Sequence, residues 1–203
     1  MKFDEYEKKH EVIYAEYAKV VKIILEKAIA EAAEVPRPQS IQHRAKSAER
    51  LNLKLQERGL IESDTIEAEI RDLAGVRLIF YTDTDADRFF NSHLIPENFD
   101  IDGVRIHHPT EENKGSLYQA THYTVRMKQE RVKLPEYIKF KEMRCEIQIQ
   151  TILKHAWSET AHDIIYKNRP KEGFGSKATK SIANRLNRIM DKYLLPAGYF
   201  EAD

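Results

Sequence analysis

Strict alternation of polar and apolar side chains marks residues 144–150 as a half-buried β-strand. Successive side chains of a strand point to opposite faces of the sheet, so one set enters the core and the other lines the opposite face. The apolar set is Cys145, Ile147 and Ile149, and the polar set is Arg144, Glu146, Gln148 and Gln150. The chain must therefore build a sheet that has one apolar and one polar face.

A second alternating segment, residues 121–128, has the same character. Its polar side chains are His122, Thr124, Arg126 and Lys128, and its apolar ones are Tyr123, Val125 and Met127. If the two strands share a sheet, their polar rows lie on one face and could line a binding site. The pattern by itself favours an antiparallel sheet with one face in water.

The remaining periodicity predicts helices that alternate with short strands, and hence an α+β fold with a mixed sheet flanked by helices. The predicted helices cover residues 4–33, 40–58, 64–73, 84–92, 151–167 and 176–194, and Gly59 ends the second of them. Two further strands are predicted over 76–81 and 103–107. With 203 residues, the chain is expected to form one domain, divided into an N-terminal helix (1–35), a core (36–168) and a C-terminal helix (169–203).

Charge and cysteine content exclude several classes of function. The chain has 33 basic and 33 acidic residues, so attraction to phosphate must come from local clustering. Cys145 is the only cysteine, which excludes an internal disulfide and a metal site built from several thiolates. No apolar run approaches the roughly 20 residues that a membrane helix needs, and the N-terminus lacks the apolar segment of a signal peptide. We expect a cytoplasmic protein without a membrane partner.

Basic residues recur every fourth position on the predicted second helix and form a basic stripe. The stripe consists of Lys46, Arg50, Lys54 and Arg58, with Arg44 and Ser47 near its beginning. Such a stripe opposite a polar sheet could bind a triphosphate through charge-assisted hydrogen bonds. A solvated helix face is the equally good alternative.

The helix that follows the Glu146 strand carries a second polar face. Its members are His155, Glu159, His162 and Tyr166. Imidazole and carboxylate at this spacing are typical of transition-metal ligands, but the order differs from that of the H-E-x-x-H zinc helix. A metal site here is the minor interpretation.

Five segments occur in an order that resembles the synthetase domain of the RelA/SpoT family, over roughly residues 36–168. They are Arg44-Ala45-Lys46-Ser47 with Lys54, Arg71-Asp72-Leu73-Ala74-Gly75-Val76-Arg77, Tyr118-Gln119-Ala120-Thr121-His122, Glu146-Ile147-Gln148-Ile149-Gln150-Thr151, and the stretch from His155 to Lys167. The resemblance implies a nucleotidyltransferase-like mixed sheet of about five strands. It also implies a pyrophosphokinase that moves pyrophosphate from ATP to a 3′-hydroxyl and releases AMP.

The resemblance also assigns roles to single residues. Asp72 and Glu146 would bind Mg²⁺, and Glu146, supported by Gln148, could also act as general base. The residues assigned to ATP are Arg44, Lys46, Ser47, Lys54 and Arg77. Tyr118 would stack on the acceptor base, and His122 ends the same motif. No hydrolase motif precedes the synthetase segment, so we expect synthesis without degradation.

Departures from the family pattern leave the acceptor open. Arg50 stands where many relatives have a small hydroxyl residue, Gln150 replaces a common arginine, and Ser116-Leu117 precedes Tyr118 where relatives often have glycine. GDP or GTP as acceptor would give (p)ppGpp. A toxin-type member would instead make an adenosine alarmone or modify the 3′ end of tRNA, and an antitoxin protein would be its partner. A nucleotide sensor without turnover is the alternative from another class.

Overall fold

The structure, a computed structural model, describes residues 1–107 and 120–161 together with residues 181, 184, 185, 188, 189, 192 and 193. The helices are α1 (Phe3–Glu5), a π-helical segment (Tyr6–His10), α2 (Glu11–Glu31), α3 (Ala48–Arg58), α4 (Ile66–Glu69), α5 (Asp83–Asn91), α6 (Leu94–Asn98), α7 (Gln129–Val132), a 3-10 turn (Ile138–Phe140) and α8 (Ile152–Ala161). The strands are β1 (Ser40–Ala45), β2 (Ala74–Phe80), β3 (Phe99–His107), β4 (Ala120–Met127) and β5 (Cys145–Thr151).

The five strands form one mixed sheet in the order β1-β2-β5-β4-β3. The central pair, β2 and β5, is parallel and places Arg77 opposite Gln148. The other three pairs are antiparallel. The predicted fold class, a mixed sheet of about five strands flanked by helices, is confirmed.

The core lies between the sheet and the long helix α2. Tyr17, Val21 and Leu25 of α2 are fully buried, and this helix packs on β1 and β2. Cys145 and Ile147 of β5 are fully buried as the alternation predicts. Burial of one large apolar side chain stabilises the fold by about 1.5–3 kcal/mol, so α2 fixes the apolar face and leaves the other face for the site.

The prediction of one continuous helix over 40–58 was wrong. Residues 40–45 form β1, which pairs with β2, and helix α3 begins only at Ala48. Ser47 caps this helix by accepting a hydrogen bond from the Arg50 backbone N–H at 3.4 Å. Gly59 ends α3 in the left-handed conformation, with φ of 67°, as predicted. Residues 40–45 have apolar side chains at helical spacing, but their backbone groups pair with β2 and complete the sheet. This pairing outweighs the local helical pattern.

The helix predicted up to residue 73 was also too long. α4 ends at Glu69, and Ile70 is already extended. Ile70 and Leu73 are both nearly completely buried, and a continuing helix would not deliver the chain to β2 at Ala74. The other strands, α5 and α8 match their predictions within a few residues over the described part of the chain. The helix predicted over 4–33 is divided into α1, the π-helical segment and α2.

The predicted helix over 176–194 lies outside the continuously described residues. Among the described helices, none has the length and apolar character needed to cross a membrane.

Candidate active site

A cavity of about 340 Å³ opens on the polar face of the sheet, next to the N-terminus of α3. Side chains from β1, the β1–α3 turn, α3, β2 and β5 line it. These residues are Gln42, His43, Arg44, Ala45, Lys46, Ser47, Arg50, Asp72, Gly75, Val76, Arg77, Glu146 and Gln148. Seven of the ten residues assigned to the site from the sequence are therefore in one cavity.

The polar face is not a solvent-exposed sheet surface. Thr124 and Gln150 are buried, and the side chains of His122 and Glu146 are only 11% and 13% exposed. Burial of polar groups is costly unless they are hydrogen-bonded. This face is therefore a partly desolvated site, which decides between the two interpretations that the alternation left open.

Asp72 is bound by two lysines that come from different segments, and we call the three residues the Asp72 cluster. Lys46 Nζ lies 2.8 Å from Oδ2, and Lys54 Nζ lies 2.8 Å from Oδ1. Burial opposes the ionisation of Asp72, but the two ammonium groups outweigh it and hold the pKa of this carboxyl at about 2. Asp72 is therefore ionised at every physiological pH.

Backbone contacts fix the position of Lys46 within the Asp72 cluster. Its N–H donates to the carbonyl of Leu73 at 2.9 Å, which ties the β1–α3 turn to the start of β2. The hydroxyl of Tyr6 donates to the Lys46 carbonyl at 2.5 Å. The N-terminal helix thus supports the turn from behind, and both lysines reach the carboxylate from the α3 side.

Glu146 has a neighbourhood of a different kind, which we call the Glu146 cluster. Gln148 Nε2 donates to Glu146 Oε1 at 2.8 Å, and His122 Nδ1 lies 3.4 Å from the same oxygen. Burial tends to raise the pKa of Glu146, but the contacts with His122 and Gln148 dominate and hold this pKa below its ordinary value. The carboxylate is ionised and can accept a proton.

Arg77 connects β5 with helix α8. Its Nε donates to Gln148 Oε1 at 3.0 Å, and its Nη1 lies 2.9 Å from both His155 Nδ1 and Glu159 Oε1. The four residues form the Arg77 cluster. His155 and Glu159 therefore contact an arginine of the cavity, and over the described residues no group of three or more metal-ligating side chains was found.

Positive charge also accumulates in the lining of the cavity, which contains Arg44, Arg50 and Arg77. The pKa of Arg44 is lowered by burial and by the nearby guanidinium groups of Arg77 and Arg50. Cations that repel one another around a cavity create a favourable place for a polyanion. The cavity thus combines a strongly positive wall with two ionised carboxylates.

The basic stripe predicted for the second helix needs correction. Lys46 is not on the helix, because it belongs to the turn before α3. Lys46 and Arg50 line the cavity, and Lys54 reaches Asp72. Arg58 is exposed at the end of α3 and does not contribute to the cavity lining. Three residues of the basic stripe therefore belong to the candidate site, and the fourth, Arg58, lies on the solvated surface.

Two lining residues, Gln42 and His43, escaped the sequence analysis because their segment was assigned to a helix. The helix-start signal at Ser47, with the acidic Glu49 in the first turn, could have moved the boundary and exposed a strand before it. Tyr118, His162 and Tyr166 lie outside the described residues. Their predicted roles stay predictions.

The donor set fits the expected Mg²⁺. Asp72 and Glu146 line the same cavity, and Mg²⁺ is typically bound through one or two carboxylates together with substrate phosphates. Cys145, the one thiol, is buried away from this face. A hard cation that prefers oxygen ligands therefore suits the residues present.

The sequence of this chain matches a known protein family. A family model described as the region found in RelA/SpoT proteins matches residues 43–171, which is more than half of the chain. A search of curated proteins gave no significant match. The family match spans every described residue that the sequence analysis assigned to the site, and it includes both carboxylates.

Solved structures share the fold over nearly the whole chain. Small alarmone synthetase 1 from Bacillus subtilis bound to its product pppGpp has a TM-score of 0.70 at 16% identity, with 98% of this chain and 100% of that chain covered. Small alarmone synthetase 2 from the same organism has a TM-score of 0.65 at 24% identity, with 95% and 98% covered. A GTP pyrophosphokinase family protein from Streptococcus pneumoniae has a TM-score of 0.64 at 21% identity, with 93% and 95% covered. The chain belongs to the RelA/SpoT family and has the fold of the small alarmone synthetases.

Proposed function

We propose that this chain is a Mg²⁺-dependent pyrophosphokinase that transfers pyrophosphate from ATP to the 3′-hydroxyl of GDP or GTP, producing (p)ppGpp and AMP. The observation that carries the proposal is the single cavity in which two ionised carboxylates, Asp72 and Glu146, face a wall of lysine and arginine side chains. A triphosphate needs the cations, and an attacking hydroxyl needs a base. Both requirements are met within one cavity.

The reaction requires an in-line displacement at the β-phosphorus of ATP. The acceptor 3′-oxygen forms a bond to this phosphorus, the bond between the β-phosphorus and the α–β bridging oxygen breaks, and AMP leaves with that oxygen. The hydroxyl proton passes to Glu146. Asp72 and Glu146 would hold Mg²⁺, which would neutralise charge on the phosphates.

The cations of the cavity serve the donor nucleotide. Lys46 and Lys54 both contact Asp72, so they are held beside the point where the β- and γ-phosphates would lie. Arg44 and Arg77 extend the positive wall towards β1 and α8. Such preorganised charges stabilise the developing negative charge without reorganisation during the reaction.

Glu146 is suited to the proton transfer. Its pKa is lowered by the hydrogen bonds from His122 and Gln148 against the effect of burial, so the carboxylate is free of a proton at neutral pH. Gln148 also contacts Arg77 and thereby links the base to the donor side. A positioned base contributes typically about 10²–10⁴-fold to the rate.

A guanosine acceptor is favoured by the similarity to a synthetase whose structure contains pppGpp. His122, which ends the proposed acceptor motif, lies beside Glu146, so an acceptor hydroxyl near His122 would also be near the base. Tyr118 belongs to the same motif and is proposed to stack on the nucleobase of the acceptor.

The test is an acceptor panel. The protein is incubated with Mg²⁺ and ATP labelled in the γ-phosphate, and separately with GDP, GTP, ADP and deacylated tRNA, and the products are separated. We expect label on GDP or GTP and an equal amount of AMP. Label only on tRNA or ADP would reject the guanosine acceptor and support a toxin-type synthetase. Absence of AMP with every acceptor would reject enzymatic activity and support a nucleotide sensor.

A further inference from the structure

The guanidinium of Arg77 is held from two elements that form one continuous piece of chain. β5 ends at Thr151 and α8 begins at Ile152, so the strand residue Gln148 and the helix residues His155 and Glu159 belong to one continuous strand-helix unit. Three of the guanidinium contacts come from this unit. The orientation of Arg77 over the cavity therefore depends on where α8 lies.

Helix α8 is anchored at its first turn. The Lys154 ammonium forms an ion pair with Asp83 at the start of α5, and both side chains are largely buried. The Lys154 backbone N–H also lies 3.4 Å from the Thr151 hydroxyl oxygen. His155 follows directly, so its ring is presented to Arg77 from a fixed position.

The contact between Arg77 and His155 defines the protonation state of the imidazole. A guanidinium has five N–H donors and no acceptor. Because Arg77 Nη1 and His155 Nδ1 are 2.9 Å apart, Nδ1 must supply a lone pair and the proton must be on Nε2. A doubly protonated imidazole would place one cation against another and remove the acceptor.

We propose that His155 and Glu159 are positioning residues that hold Arg77 towards the nucleotide, and that nucleotide binding in this cavity therefore requires His155 to be uncharged. The inference rests on the proposed function, because it takes the cavity to be the ATP site. It assigns a function to the polar face of α8 that had otherwise suggested a metal.

The groups that face His155 favour the uncharged ring. Arg77 of β2 and Arg44 of β1 are cations, and Glu159 of α8 is the opposing carboxylate. Burial and the two arginines together lower the pKa of His155 despite Glu159. Its neutral form thus predominates at pH 7.5, and its protonation at a pH below its ordinary pKa would release Arg77.

The experiment measures the dissociation constant of a non-hydrolysable ATP analogue by calorimetry between pH 7.5 and 5.5. The variants are His155→Gln, which cannot titrate, His155→Leu, Glu159→Gln, and each of these combined with Arg77→Ala. His93→Asn, at an exposed position outside the cavity lining, is the control, since asparagine tolerates its left-handed backbone. Circular dichroism at each pH checks the fold.

We expect His155→Leu to weaken binding at pH 7.5 by roughly threefold to tenfold, the typical effect of one lost hydrogen bond. On acidification, His155→Gln should lose less affinity than the unmodified protein and the His93→Asn control. Titration of the analogue itself is common to all variants and cancels in this difference.

The combined variants separate positioning from direct contact. In the Arg77→Ala background, substitutions at 155 and 159 should have no further effect, because residues that act through one partner are not additive. Equal pH profiles with and without His155, or an undiminished effect of His155→Leu in the absence of Arg77, would overturn the inference while the acceptor panel still tests the function. If the unmodified protein neither binds the analogue nor forms AMP, the proposed function and this inference are both wrong.

Discussion

The two carboxylates of the cavity are stabilised by opposite means. Asp72 is bound by the ammonium groups of Lys46 and Lys54, whereas Glu146 is bound by an amide and an imidazole. The two ammonium groups carry full positive charges and can bind an incoming phosphate in place of the Asp72 carboxylate. Hydrogen bonds from Gln148 and His122 leave Glu146 anionic and fixed in place. Under the proposed function, the Asp72 cluster would serve charge neutralisation and the Glu146 cluster would serve proton transfer.

The largest expected effect is on turnover, and it separates the two acids. Glu146→Gln keeps size and shape but removes the base, so we expect kcat to fall by about 10²–10⁴-fold with the metal-free affinity for ATP unchanged. Asp72→Asn should lower kcat at least as much. In metal-free buffer it should also strengthen ATP binding by about twofold to fivefold, because Lys46 and Lys54 lose their partner.

Steady-state kinetics and calorimetry in EDTA check both expectations. Glu136→Gln, an exposed substitution outside the cavity lining, is the matched control and should behave like the unmodified protein. Identical metal-free ATP affinities of Asp72→Asn and Glu146→Gln would remove the distinction between the two clusters.

The second effect concerns the donor nucleotide alone. Lys54→Met keeps the aliphatic stem and removes the ammonium, and a charge-assisted hydrogen bond is worth about 1.5–3 kcal/mol. We therefore expect the KM for ATP to rise by about tenfold to a hundredfold, with the KM for the acceptor nearly unchanged. Lys27→Met on the exposed side of α2 is the control. A parallel rise of both constants would mean that Lys54 does not belong to the donor side.

The third effect concerns the acceptor. Tyr118→Ala should weaken acceptor binding by roughly 1–3 kcal/mol, the typical contribution of stacking on one nucleobase. The KM for the acceptor should rise accordingly. The KM for ATP should stay within about twofold. Initial rates at varied GDP and fixed ATP measure this change, and Tyr118→Phe, which keeps the ring, should restore the acceptor constant. An unchanged constant in Tyr118→Ala would remove this tyrosine from the acceptor site.

The smallest effect is on stability at acid pH. The pKa of Asp72 is about 2 in the folded chain against 3.8 ordinarily, so its ionisation stabilises the folded state above pH 4. This contribution, at most about 2 kcal/mol, is lost as the pH falls through the folded pKa. Urea unfolding in EDTA at pH 6 and pH 3 should show about half of this loss in the unmodified protein, because pH 3 lies between the ordinary and the folded pKa, and Asp72→Asn should show a smaller one. Equal losses would contradict the contribution of the two lysines.

Two segments differ in how far local pattern predicts them. Residues 145–151 have an apolar side chain at every second position, and both the strand and its buried face were predicted correctly. Residues 40–58 carry apolar residues at helical spacing throughout, yet the first part is β1. Local analysis thus found four strands, and only the family resemblance implied about five. Pairing of β1 with β2 supplies hydrogen bonds that no local periodicity records.

The sequence by itself determined the ingredients of the site. The alternation in β5 predicted that Glu146 and Gln148 lie on one face, because this pattern depends on the spacing of side chains along one element, which the chain fixes locally. The roles of Asp72, Arg77 and the two lysines came instead from the order of motifs that resembles the RelA/SpoT family.

Only the tertiary structure decided how these ingredients meet. Lys46 and Lys54 belong to a turn and a helix, and they converge on Asp72 because β1 adds to the edge of the sheet and directs α3 back over it. The parallel register of β2 and β5 brings Arg77 to Gln148, and α8 brings His155 and Glu159 to that arginine. Such contacts join residues far apart in sequence, so their energies depend on the assembled sheet and leave no periodic trace in the chain.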